Sequence, residues 1–138
     1  MIAYLDSSVV LRRVLGHSQG LTGWPAIDRA VASELTEVEC LRTLDRLVVS
    51  GALRAPDAPE RRAAVFDLLA AVELVELRRP VLSRASQQFP APLGTLDAIH
   101  LATALLWRDQ ADEALVFATH DTALGLAARA MGFDVMGV

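Results

Sequence analysis

Asp6 closes a short apolar run in MIAYLDSSVVL, and two hydroxyl residues, Ser7 and Ser8, follow it directly. Either serine would suffice to cap a helix that starts there, so the carboxylate is redundant as a cap or has other work. Asp121, in FATHDTALG, repeats the placement: the end of an apolar strand and the start of a helix. Ligands of open α/β sheets bind outside the carboxyl ends of the strands. If the two strands are neighbours, both carboxylates project into one cleft. For either acid alone a helix cap is the simpler account, and Asp121 is expected to cap in part.

Asp97 is harder to explain as packing. LDAIHLATALLW is apolar around nearly the whole helical circumference, so this helix should be buried in the domain. A carboxylate there needs a partner, because burying a lone charge costs several kcal/mol or forces protonation. Its place in the first helical turn contributes only about 1 kcal/mol through the helix dipole. A metal ion or a strong hydrogen-bonding partner is still wanted. Glu39 is the weakest of the four acids. In SELTEVECLRTLDRLVVSG the apolar stripe reads Val38, Leu41, Leu44, Leu47 and Val48, and Glu39 falls off it beside Leu35, Arg42, Thr43 and Arg46. A solvated glutamate paired with Arg42 at i,i+3 accounts for that pattern equally well. Glu34 and Glu37 read as surface acids.

Three or four carboxylates gathered at strand ends would repel one another and resist ionising. A divalent cation resolves the conflict. Mg²⁺ and Mn²⁺ take carboxylate oxygens and waters, whereas zinc would call for His or Cys ligands. Such an ion can polarise a phosphoryl oxygen and supply hydroxide, which fits phosphodiester hydrolysis. Rival phosphoryl chemistries lack a part. All thirteen basic residues are arginine, so the lysine on which aspartyl phosphatases and phosphoacceptor domains rely is missing. The phosphatase pattern also wants an acid where Ser8 stands. No Gly-rich loop ending Gly-Lys-Ser/Thr is present for a nucleotide-binding P-loop.

The elements that must carry these acids alternate. Short apolar runs at 2–5, 30–33, 72–77, 114–119 and 133–138 read as strands. Helices are expected at 7–16, 33–51, 59–72, 80–89, 95–110 and 120–132, with a turn-rich segment from His17 to Asp28. Gly16, Gly51 and Gly132 suit helix stops, Ser33 a cap, and Pro80 a first helical turn. Strands alternating with helices imply crossovers and a parallel sheet covered on both faces, a three-layer α/β/α domain richer in helix than in strand.

Composition sets the outer limits. The 138 residues are 53% hydrophobic and free of repeats or low-complexity tracts, as expected of one domain spanning 1–138. No apolar stretch approaches the roughly 20 residues of a membrane helix, and the start lacks the features of a signal peptide, so a cytoplasmic protein with no membrane association is expected. The lone Cys40 is expected to be inert packing. A net charge of −4 argues against a general nucleic-acid binder, but not against a nuclease whose acids are neutralised by metal.

Taken in order, LDSS, SELTEVECLRTL, LDAIHLATA and ATHDTALGLAARAMG give the chain a resemblance over nearly its whole length to PIN-domain proteins, specifically VapC-type toxin ribonucleases of toxin–antitoxin pairs. The resemblance implies a parallel five-stranded sheet of order 3-2-1-4-5. It implies an acidic Mg²⁺ or Mn²⁺ site made by Asp6, Glu39, Asp97 and Asp121, with Ser8 near Asp6 and Thr119 near Asp121 as hydrogen-bonding supports. Endonucleolytic RNA cleavage that inhibits translation or growth, a homodimer, and a VapB-like antitoxin covering the cleft are implied as well. Arg42, with Arg46, could meet RNA phosphates or bridge to Glu39 or Asp97. His120 could touch substrate. His100 reads more readily as a satisfied core histidine than as a group orienting a carboxylate, and Trp24 more readily as packing than as a base-stacking platform. The non-enzymatic alternative is a degenerate PIN module that binds RNA or protein without cutting.

Overall fold

The computed structural model describes residues 1–18 and 20–138; Gln19, within the turn-rich segment, lies outside the described residues. Five strands, β1 (Ile2–Leu5), β2 (Arg29–Ser33), β3 (Glu73–Val75), β4 (Val116–Ala118) and β5 (Asp134–Met136), form one parallel sheet of order β3-β2-β1-β4-β5. The helices are α1 (Ser7–Val14), α2 (Leu35–Val49), α3 (Ala58–Leu69), α4 (Arg79–Ala85), α5 (Thr95–Ala111) and α6 (Thr122–Ala130). The expected architecture and strand order are both found. Among the described residues no helix is long and apolar enough to cross a membrane.

Side chains alternate along β1 and so sort the core into two layers. Ala3 and Leu5 face one way, onto Val9, Val10, Cys40, Leu44, Val65 and Leu69 of α1, α2 and α3. Tyr4 faces the other way, with Val31 and Phe117, onto Leu101, Ala104 and Leu105 of α5 and Leu124, Ala127 and Ala128 of α6. The sheet is therefore buried on both faces, which explains why its strands read as unbroken apolar runs. The pleat also assigns Asp6, two residues after Tyr4, to the α5 side.

Several boundaries are tighter than the sequence implies. The run at 72–77 pairs only over Glu73–Val75, because β3 is an edge strand with one neighbour. The helix begun near Pro80 ends at Ala85 rather than Phe89; the Ser86 hydroxyl donates to the Leu82 carbonyl at its end. The helix expected over 59–72, α3, ends at Leu69, and α6 begins at Thr122 rather than His120. Gly16, Gly51 and Gly132 adopt positive φ just past their helices, as expected of stops. Ser33 does not occupy the formal cap of α2, which is Glu34, yet its Oγ still accepts from the Leu35 amide at 3.1 Å.

The stripe read along α2 is displaced. Its fully buried row is Thr36, Cys40 and Leu44; Leu41, Leu47 and Val48 are half-buried, and Val38 is 56% exposed. The expectation that Val38 faces the core is incorrect. The i,i+4 row facing the sheet lies one position round the helix, and that rotation turns Glu39 towards the rim of the sheet.

Candidate active site

The carboxyl ends of β1 and β4 lie side by side, with the Asp6 amide donating to the Ala118 carbonyl at 3.0 Å. Asp6 occupies the N-cap position of α1 but makes no side-chain cap bond. Its carboxylate, 4% exposed, instead accepts three hydroxyls: Ser8 at 2.6 Å, Thr119 at 2.8 Å and Ser7 at 3.2 Å. The redundancy at LDSS is thereby explained, since the serines serve the aspartate rather than the helix. Ser8 Oγ also accepts from the His120 amide at 2.9 Å, and Thr119 Oγ1 from the Asp121 amide at 3.0 Å. Two hydroxyls thus tie the turn after β4 to Asp6.

Asp121 does cap α6, accepting from the Leu124 amide at 2.8 Å, and its side chain remains exposed to the cleft. Asp97 lies in the first turn of α5 and is half-buried rather than enclosed. Burial, then the charges of Asp121 and Asp6, raise its carboxyl above the ordinary range; His100 opposes them and Glu39 adds to them. Asp97 therefore shares one electrostatic environment with the other three acids.

Glu39 reaches this environment through a histidine. Its Oε1 lies 2.5 Å from His100 Nε2, and the same nitrogen is 3.8 Å from Asp6 Oδ1. The other ring nitrogen, Nδ1, is 2.8 Å from the Tyr4 hydroxyl. The ring is fully buried. Burial alone would lower its pKa, but the Glu39 hydrogen bond and the charges of Asp6, Glu39 and Asp97 outweigh that, and the net shift is upward. Tyr4 is held well above its usual value by burial and then by Asp6, so it stays a neutral hydroxyl. Cys40 is pushed up to about 12 by burial, with Glu39 and Asp6 adding to it, as suits an inert thiol.

The remaining candidates are more peripheral. Arg42 pairs with Asp45 at 2.9 Å and Arg46 donates to Thr43, both on the exposed side of α2, so the bridges to Glu39 or Asp97 are not formed. Trp24 packs against the α1–α3 core with the Arg13 guanidinium 5.3 Å from its ring. His120 donates from Nδ1 to the Gly137 carbonyl, 3.1 Å away. Gly137 has φ +101°, and a Cβ there would collide with the carbonyl oxygen of Thr119, so only glycine lets β5 close against this turn. Tyr4 was not singled out from the sequence. Its signal was the strand pleat, which places it on the same face as Asp6.

The donor set fits a hard divalent ion: carboxylate oxygens that repel one another and are braced by hydroxyls. Among the described residues no group of three or more Asp, Glu, His or Cys side chains stands arranged to hold a metal ion. Mg²⁺ keeps several of its waters, so an acid of this rim can hold it through a water as well as directly.

Comparison with known proteins agrees with the geometry. The PIN domain profile matches residues 3–129. Ribonuclease VapC35 of Mycobacterium tuberculosis, from strains CDC 1551 / Oshkosh and ATCC 25618 / H37Rv, is 36% identical over 142 aligned residues, covering 96% of this chain and 94% of the relative. A crystal structure of VapBC2 from Rickettsia felis bound to a DNA fragment from their promoter superposes with a TM-score of 0.66 at 10% identity, covering 98% of this chain and 97% of that one, which speaks to the fold. With four acids on the carboxyl rim of a 3-2-1-4-5 sheet and a sequence match across nearly its whole length, the chain belongs to the PIN-domain family, alongside the VapC ribonucleases.

Proposed function

We propose that this chain is a metal-dependent endoribonuclease, the toxin of a toxin–antitoxin pair. The observation that supports the reading is the contact run Glu39–His100–Asp6 at the carboxyl rim, with Asp97 and Asp121 at the starts of α5 and α6 near enough for Asp121 and Asp6 to raise the Asp97 carboxyl. The 36% identity to a ribonuclease, over 96% of this chain and 94% of that one, supports RNA as the substrate. Asp6, Asp97 and Asp121 would hold Mg²⁺ or Mn²⁺, with Glu39 completing the acidic set. When bound, the ion would lower the pKa of a water and offset charge on the phosphoryl group. The chain's own contribution is placement. Ser8 and Thr119 both donate to Oδ2 of the Asp6 carboxylate, Ser7 donates to Oδ1, and the Asp121 cap fixes the start of α6. Rigid oxygens cost no reorganisation when charge develops at the phosphorus.

The fold shared with a VapBC complex supports an antitoxin of VapB type as partner, and a homodimer in the cytoplasm completes the proposal. Arg42 on the exposed side of α2 and His120 beside Ser8 are candidate substrate contacts. The test is cleavage of structured RNA by purified protein with Mg²⁺, and with the metal chelated. Asp6→Asn and Asp97→Asn should stay folded and lose cleavage. Cleavage retained by both, or undiminished by chelation, would remove the proposal; folded, RNA-binding but uncleaving wild type would favour the degenerate module.

A further inference from the structure

We infer that His100 is a positioning residue of the acidic cleft, acting through Glu39. The inference rests on the metal-site reading above. Glu39 projects from α2, whose buried row packs on the opposite face of the sheet from α5. An unconstrained glutamate side chain there would sample many rotamers. His100 Nε2 holds Oε1 at 2.5 Å and leaves the side chain only 18% exposed. The ring is itself immobilised. Nδ1 meets the Tyr4 hydroxyl at 2.8 Å, and the Tyr4 ring stacks on Phe117 with centroids 5.1 Å apart and planes 22° from parallel. A continuous path, Phe117–Tyr4–His100–Glu39, therefore runs from the centre of the sheet to the cleft across β4, β1, α5 and α2.

A histidine serving only the core could be satisfied by backbone groups. Here the Nε2 partner is a carboxylate of the cleft, and Asp6 is the next anion at 3.8 Å. Groups that orient metal ligands from behind typically change affinity by about 10- to 100-fold when removed. His100 supplies that support for Glu39, and Tyr4 supplies it for His100.

The test titrates the full chain with Mn²⁺ alone, by calorimetry, after each variant has been checked by circular dichroism and thermal melting in chelator. His100→Leu should weaken Mn²⁺ binding about tenfold, and Glu39→Gln to a similar degree. The double variant should be no weaker than either single one, because both remove the same interaction. His100→Gln, whose amide can still donate to Glu39, should recover most of the affinity. Should His100→Leu fail to fold, Tyr4→Phe carries the test: it keeps the Phe117 stack, and its smaller loss should vanish in the Glu39→Gln background. Additive losses, or wild-type affinity in folded His100 and Tyr4 variants, would overturn the inference. Asp97→Asn separates the two proposals. If wild type binds Mn²⁺ and Asp97→Asn does not, unchanged His100 variants sink this inference alone, whereas wild type that binds no Mn²⁺ sinks the metal site and this inference together.

Discussion

At the amino rim of the sheet, Arg29 at the head of β2 holds Glu73 and Glu113 at 3.1 Å each and lies over the Trp107 ring. Glu73 also accepts the Trp107 indole at 2.7 Å, and Asp28 pairs with the amino group of Met1. Every one of those acids has a cation beside it. At the carboxyl rim, Asp6 is braced by hydroxyls, Asp121 by a backbone amide and Glu39 by an imidazole, while burial and neighbouring anions keep Asp97 above its ordinary pKa. One sheet thus has a rim where charge is settled and a rim where charge is kept in conflict. Conflict of that kind lowers stability, and such groups concentrate at functional sites.

Breaking the conflicted rim should have the largest effect. Asp6→Asn and Asp97→Asn should each reduce RNA cleavage by about a hundredfold or more, read from initial rates at saturating Mg²⁺. The stability effect of Asp97→Asn should run the other way. In metal-free protein the raised Asp97 pKa contributes stability that is present below the ordinary carboxylate range and lost as pH rises through the raised value. The variant's melting temperature in chelator should accordingly exceed that of wild type at neutral pH and converge on it in acid. Wild type should in turn gain about 2.7 kcal/mol when Mn²⁺ reaches a hundred times its Kd, and Asp97→Asn should gain far less.

Thr119→Val probes the bracing rather than the charge. It strips one hydroxyl from Asp6 and the acceptor from the Asp121 amide. A loss of about 1–3 kcal/mol in stability is expected, with cleavage down about tenfold. At the settled rim, Arg29→Met should lower the melting temperature slightly and leave cleavage within about twofold, as exposed ion pairs do. An Arg29 variant that lost cleavage while still folded would show that the two rims are not independent. The smallest effect belongs to Cys40, whose thiol, pushed up to about 12, should resist alkylation at pH 8 until the chain is unfolded.

The layered architecture was legible because the central strands β1 and β4 are covered on both faces and write nearly uninterrupted apolar runs. Edges and ends were less so: β3 is shorter than VELVEL because pairing from one side ends where Val75 loses its neighbour. The positions of Asp6 and Asp121 followed from strand ends, and that of Asp97 from an acid in an apolar helix. Glu39 could not be placed by periodicity, since α2 is rotated so that Cys40 rather than Val38 faces the core; it stayed the weakest of the four acids until the family resemblance assigned it to the site. The link between Tyr4 and His100 spans 96 residues of sequence, and that between Glu39 and His100 spans 61. No local pattern encodes contacts of that reach.

Residue 137 carries a consequence for how the molecule can be handled. The chain doubles back there to clasp the turn that follows β4, with the Thr119 amide donating to Met136 and His120 resting on the carbonyl of Gly137. Thr119 is the same residue whose hydroxyl Asp6 and the Asp121 amide share. The spacing of acids 115 positions apart is thus fastened by the last few residues of β5 and its exit. Cleavage within that strand, or a bulkier residue at 137, would loosen the pocket without touching any of its acids.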